Sequence, residues 1–238
     1  MRKFVRDPGA ISILGESIAT GKLDPRELVE GLLARCAEVE GDIQAWCGLD
    51  REAAQREAEA RAREIQEGRS RGPLHGIAFA VKDVIDVAGW PTRAGSRTRA
   101  GSAPASIDAE IVASARAAGA IVLGKAHTTE FAYFNGPPPT RNPWNCDHTP
   151  GGSSGGPAAS VAAGMALFSF GTQTAGSVVR PAAYCGIAAF KPTTHAISIF
   201  GVLPLAPAFD TPGYFAQRTA DVALIASALQ APALVGGG

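Results

Sequence analysis

Gly72-Pro-Leu-His-Gly-Ile-Ala-Phe-Ala-Val-Lys82-Asp83 holds an apolar run, Ile77 to Val81, closed by a glycine before it and by two charges after it. A short apolar run bounded in this way reads as a buried strand. Further on, Asp108 stands where it would cap a helix through Ala118, and Ile121-Val122-Leu123 reads as another strand after Gly119. Strand, helix and strand in that order point to α/β architecture.

Upstream, Asp24-Pro25-Arg26-Glu27 opens a helix. Asp24 is placed to cap free amides, Pro25 suits the first helical position, and Glu27 completes a capping box. Leu28, Val29, Leu32 and Leu33 recur at helical spacing to about Gly41. Asp50 opens a second helix that ends at Gly68, and its Glu/Arg run reads as a solvated face. Downstream, 135–156 is a long loop with five prolines and five glycines, a length that often marks function. Pro157 to Ala163 reads as a small-residue helix and Ala166 to Phe170 as a buried strand. Gly171 to Gly176 reads as a tight turn into a helix beginning near Ser177; a strand over Ile187 to Phe190 and a helix over Ala220 to Leu229 follow. The expected organisation is one domain: a helical region over 1–70, a core over 71–229 and a flexible tail over 230–238.

The 238 residues can bury a sizeable core, and 46% hydrophobic with 18% charged residues describes a globular chain. A net charge of zero with no basic block argues against a nucleic-acid partner. Cys36, Cys47, Cys146 and Cys185 form no C-x-x-C pair and read as reduced thiols. No apolar run reaches the roughly 20 residues that span a bilayer. Glu16 interrupts the brief apolar start, so no signal peptide is read and a cytoplasmic location is expected.

Two glycine-flanked serine clusters carry the chemistry: Pro150-Gly-Gly-Ser153-Ser154-Gly-Gly156 and Gly171-Thr-Gln-Thr-Ala-Gly-Ser177. Glycine turns at helix starts can aim several amides at one point and so hold an oxyanion. Ser153 satisfies Gly-x-Ser-x-Gly, but no acid lies between it and His195, the one histidine that follows the two serine clusters, so a hydrolase elbow fails on chain order. Neither cluster ends in the Gly-Lys-Ser/Thr of a phosphate loop. His75, His127, His148 and His195 are isolated, which gives no metal site. A lysine base remains, as in Ser–Lys enzymes. Lys82 and Lys125 each close an apolar strand, and position alone does not separate them.

The lysine segment quoted above, the block from Pro150 to Gly156, the block from Gly171 to Pro181, and Cys185-Gly186 through Phe190-Lys-Pro-Thr193 together resemble the amidase-signature family. The likeness runs from about residue 22 to 229. It implies a mixed sheet covered by helices and a Ser–Ser–Lys triad: Ser177 as nucleophile, Ser153 in a cis peptide as relay, Lys82 as base. It also implies an oxyanion hole from the amides of Thr174, Ala175, Gly176 and Ser177, with Ser154 supporting Ser153 by hydrogen bonding. Lys125 then falls back to a strand-end lysine reaching solvent. The implied reaction is hydrolysis of carboxylic amides, esters or carbamates through an acyl-enzyme, on C–N bonds other than peptide bonds, with no metal or cofactor. Buried with no carboxylate paired to it, Lys82 is expected to lose about 2–3 pKa units, so that activity rises through roughly pH 7.5–8.5.

The chain also departs from the pattern. Gln173 and Ala175 stand where Asp and Gly are usual. Val179 takes the place of an Arg, with Arg180 one position later. Loss of an Asp and its Arg together leaves no orphan charge. These changes count against the tRNA-dependent amidotransferase subunit. The family's domain is roughly twice as long, so the chain is a fragment holding its N-terminal half, or is completed by another chain, or has a minimised fold; a long open sheet edge covered by a second copy, a partner or further chain is expected. The competing reading is an incomplete scaffold that depends on a partner. Trp90, Tyr133, Phe134 and Trp144 read first as packing and second as lining for an aromatic-friendly cleft.

Overall fold

The computed structural model describes residues 4–133 and 136–230, so Phe134 and the tail expected over 230–238 lie outside it, except Gln230 as the last helical residue. In chain order the elements are α1 (Ile11–Ala19), α2 (Pro25–Ile43), β1 (Trp46–Leu49), α3 (Arg51–Gln66), β2 (Ala78–Lys82), α4 (Glu110–Ala117), β3 (Ile121–Ala126), α5 (Gly155–Ala162), β4 (Phe168–Gln173), α6 (Val179–Cys185), β5 (Ala188–Phe190), β6 (Thr211–Ala216) and α7 (Thr219–Gln230). The six strands form one sheet in the order β1-β3-β2-β4-β6-β5. The two central pairings, β3 with β2 and β2 with β4, are parallel, and the three outer ones are antiparallel. The sheet is therefore mixed, as expected.

Alternation along the strands decides what the sheet offers to the site. Phe79 pairs with Phe168, and Ala80 with Ser169. On one face Phe79, Phe168, Phe170 and Tyr214 make an aromatic cluster, with Phe79 and Phe168 stacked at 4.9 Å. The other face carries Ala78, Ala80, Ser169 and Gly171. These small residues let α5 lie close, and Ser169 Oγ donates to Pro157 O at 2.9 Å. Lys82 falls on this same face by the same alternation. At Gly171 a Cβ would meet Phe215 at 2.6 Å and Ser154 Oγ at 2.8 Å; at Gly156 it would meet the His127 backbone at 2.5 Å. Gly171 is thus required by the close Phe215 and Ser154 side chains, and Gly156 by the close His127 backbone.

Several boundaries differ from the sequence reading, each for a local reason. Asp108 does not cap α4; its carboxylate accepts the Ala88 N–H at 2.7 Å and pairs with Arg116 at 3.2 Å. Asp24 does cap α2, through Arg26 N–H at 2.8 Å, but Glu27 makes no return bond. β4 continues through Gly171, Thr172 and Gln173, and α6 begins only at Val179, two residues past Ser177. The free edges are β1 and β5, of four and three residues, so the long open edge is absent among the described residues. Val179, Tyr184, Phe190, Phe200, Leu205 and Phe209 are large and exposed. The charged face of α3 is solvated, as with the Arg56–Glu52 pair; Glu64 is the exception, buried and paired with Arg61 and Arg71.

Candidate active site

The end of β2 delivers Lys82 into a fully buried position, at 0% exposure. Its Nζ donates to Ser153 Oγ at 2.8 Å and to Thr172 Oγ1 at 2.8 Å, with Thr172 O at 3.4 Å. Burial pulls its pKa from 10.5 down to about 7, and the charge of Asp210 pulls the other way. Among the described residues no carboxylate is hydrogen-bonded to it. The value lies below the window expected from sequence because burial is complete.

Ser153 follows a cis peptide bond from Gly152. Arg180 fixes that peptide: its Nε and Nη2 donate to Gly152 O at 2.9 and 2.6 Å. Ser154 does not bond Ser153. Its Oγ donates to Thr172 O at 3.2 Å, and its own N–H donates to Ser177 O at 3.3 Å. Ser154 thus ties the loop before α5 to β4 and to the turn that carries Ser177.

That turn, 174–178, is held by Gln173. Its Oε1 accepts the N–H groups of Val178 and Val179 at 2.8 and 3.0 Å, and its Nε2 donates to Ala175 O at 2.9 Å. A neutral amide here satisfies the first amides of α6 as an N-cap would. These bonds account for a neutral Gln at 173, and Val179 is half-exposed and needs no partner. Among the described residues, the N–H groups of Thr174, Ala175, Gly176 and Ser177 donate to no protein acceptor. Ser177 is half-buried, and its hydroxyl likewise makes no hydrogen bond. Among the described residues the structure therefore joins Lys82 to Ser153 directly, and Ser177 to this pair through the Ser154 backbone.

Lys125 does not reach solvent. It is 2% exposed, paired with Asp83 at 3.2 Å and bonded to Thr92 Oγ1 at 3.0 Å. This pair engages the neighbour of Lys82 and leaves Lys82 without a counter-ion. Cys47 abuts it, with a thiol that burial pushes up to about 12, so it holds no thiolate; all four cysteines are free. His75 is buried, with Nε2 facing Arg61 O at 3.0 Å. Among the described residues no cluster of His, Cys, Asp or Glu is placed to hold a metal, and no helix is long and apolar enough to cross a membrane.

A cavity of about 250 Å³ opens beside Gly152, lined by Thr129, Thr149, Arg180 and Tyr184. It shares Thr129 and Pro137 with a larger one, about 740 Å³, that reaches Arg93, Arg97 and His127. Ser177 lines neither. Trp90 borders a smaller cavity near Lys125, Trp144 Nε1 is tied to Cys185 O at 2.7 Å, and Tyr133 is exposed, so no aromatic cleft forms from them. Sequence reading missed Thr172, Arg180 and Asp210. The Arg shifted by one place was the visible signal for Arg180; nothing local pointed to Asp210.

The Amidase family model matches residues 27–233. The chain is similar to a glutamyl-tRNA(Gln) amidotransferase subunit from Anaeromyxobacter sp. (strain K), 40% identical over 216 residues, covering 89% of this chain and 44% of that protein. It superposes on the native peptide amidase of Stenotrophomonas maltophilia with a TM-score of 0.86 and 36% identity, covering 96% of this chain and 50% of that one. A structure of a vestigial protein complex, reported for the evolutionary origins of an s-triazine catabolic enzyme, gives 0.88 and 36%, covering 93% and 50%. The amidotransferase subunit that the sequence reading counted against thus stands among these relatives. The chain spans about half the length of the relatives it matches. With the family model matched over most of its length, the chain belongs to the amidase family.

Proposed function

We propose that this chain carries the catalytic half of a serine hydrolase for carboxylic amides, acting through an acyl-enzyme on Ser177. The observation that carries the reading is the buried Lys82, with a pKa near 7, donating to Ser153 at 2.8 Å. A lysine with that pKa is substantially neutral at pH 7 and can accept a proton. Ser177 Oγ attacks the carbonyl carbon. Its proton passes to Ser153 Oγ while the Ser153 proton passes to Lys82 Nζ. The free amides of 174–177 take the oxyanion. The proton then returns by way of Ser153 to the departing nitrogen, the C–N bond breaks, and water later releases the acid. The reading requires the Ser177 and Ser153 hydroxyls to meet. Such bonds are often loose without substrate and tighten when it binds.

The mechanism uses no metal or cofactor. The substrate in this reading is a small carboxylic amide outside a peptide chain, with esters and carbamates as further acyl donors. Ser177 lines neither cavity, and the chain spans 44% of a curated relative. These observations favour a second polypeptide, a second copy or further chain that completes the acyl pocket over the exposed Val179, Phe190 and Phe209. The test is mass spectrometry of the chain quenched during turnover of aryl amides, esters, carbamates and peptide amides. An acyl mass on the peptide holding Ser177 supports the reading. Turnover without acylation of Ser177 contradicts it.

A further inference from the structure

Asp210 is a buried carboxylate, 4% exposed, at the entry to β6. No cation pairs with it among the described residues. Burying a carboxylate is costly unless its oxygens are bonded, and here they are. Oδ2 accepts the N–H groups of Leu205 and Ala206 at 2.8 and 2.9 Å, and Oδ1 accepts the hydroxyl of Thr174. Thr211, the next residue, pairs with Gln173, which brings Asp210 beside the head of the amide turn. Lys82 is faced by Ser153 from the loop before α5 and by Thr172 from β4, both neutral. Thr172, which Lys82 bonds, pairs with Pro212 on β6, two residues beyond Asp210, and the charge of Asp210 acts on Lys82 from that side. Asp83 is engaged by Lys125 instead.

We propose that Asp210 is a positioning residue: it holds Thr174 at the head of the amide turn and answers the charge that Lys82 acquires on taking the proton. The proposal rests on the Ser177 reading above. A bolt for the 198–210 segment needs only hydrogen bonds, which a neutral amide provides. A carboxylate in this place adds a fixed negative charge that stabilises the lysine ammonium and keeps Lys82 a stronger base than burial alone allows.

Asp210→Asn separates the two parts. The Asn oxygen still accepts from Leu205 and Ala206, its NH₂ still bonds the Thr174 hydroxyl, and the charge is gone. The Lys82 titration is followed by NMR in full chain carrying ¹³Cε-lysine, with Lys82→Met assigning the signal. The expected result is a Lys82 midpoint lower by at least about half a pH unit, since an opposite charge has been removed. The limb of fluorophosphonate labelling at Ser177 moves with it. An unmoved midpoint overturns the proposal whatever the labelling does. An unlabelled parent chain overturns the Ser177 reading instead, and the NMR shift still reports on Asp210. Thr174→Val keeps the charge and keeps the proposal testable if Asp210→Asn does not fold. Its labelling rate is expected to fall about tenfold, as for a weakened oxyanion donor, with the midpoint unmoved. Labelling at the parent rate overturns the positioning role.

Discussion

Lys82→Met should stabilise the fold at neutral pH while stopping the chemistry. Burial lowers the lysine pKa from 10.5 to about 7. At about 1.36 kcal/mol per unit, keeping this group buried costs roughly 4–5 kcal/mol at low pH. Met removes that cost and fills similar volume. It also removes the bonds to Ser153 and Thr172, an offset of about 2 kcal/mol. A net gain of about 2–3 kcal/mol corresponds to about 5–10 °C in Tm for a chain of this size. The sign follows from proton linkage. Between about pH 7 and 10.5 the unfolded chain holds a proton that the folded chain has shed, so the parent gains stability as pH rises. The advantage of the mutant is therefore full below about pH 7, shrinks by about 1.4 kcal/mol per unit above it, and reverses before about pH 10.5. Urea melts of both chains from about pH 6 to 10 measure this directly. A gap that does not change with pH, or a mutant much less stable at about pH 6, refutes the reasoning.

The rate of fluorophosphonate labelling should rise with pH through a limb near 7, where Lys82 becomes neutral; a rate flat from about pH 5.5 to 9 contradicts this. Gln173→Ala removes the bonds to Val178, Val179 and Ala175. It should cost about 1–2 kcal/mol in denaturant melts and slow the labelling, as the loss of an N-cap loosens the turn. Lys125→Met leaves Asp83 buried without its cation and should destabilise the fold by about 3–5 kcal/mol. Labelling of the folded Lys125→Met chain should match the parent, and a lost label would place Lys125 in the chemistry.

How far the sequence led depends on how local each signal was. β2 was legible because an apolar run ends abruptly in Lys82-Asp83. α2, α3 and α7 were legible from caps and helical spacing. β1 was missed because Trp46-Cys-Gly-Leu49 is too short to show alternation. β6 was missed because Pro212 and Gly213 read as breakers, yet Thr211–Ala216 pairs along its whole length with β4. The choice between Lys82 and Lys125 could not be made from strand position. It turns on Asp83, which sits beside Lys82 in sequence but pairs across the sheet with Lys125. The start of α6 was misplaced because a side chain outside the helix, Gln173, satisfies its first amides. Asp210 lies 33 residues beyond Ser177 in sequence and is brought back only by the β4–β6 pairing.

The central claim is that Ser177 is a nucleophile activated by the Lys82–Ser153 pair. Labelling the purified chain with a fluorophosphonate, followed by mass spectrometry of its peptides, tests it most directly. One phosphonyl group is expected on Ser177, absent in Ser177→Ala and strongly slowed in Lys82→Met. A label on another residue, or a Lys82→Met chain labelled at the parent rate, would contradict it.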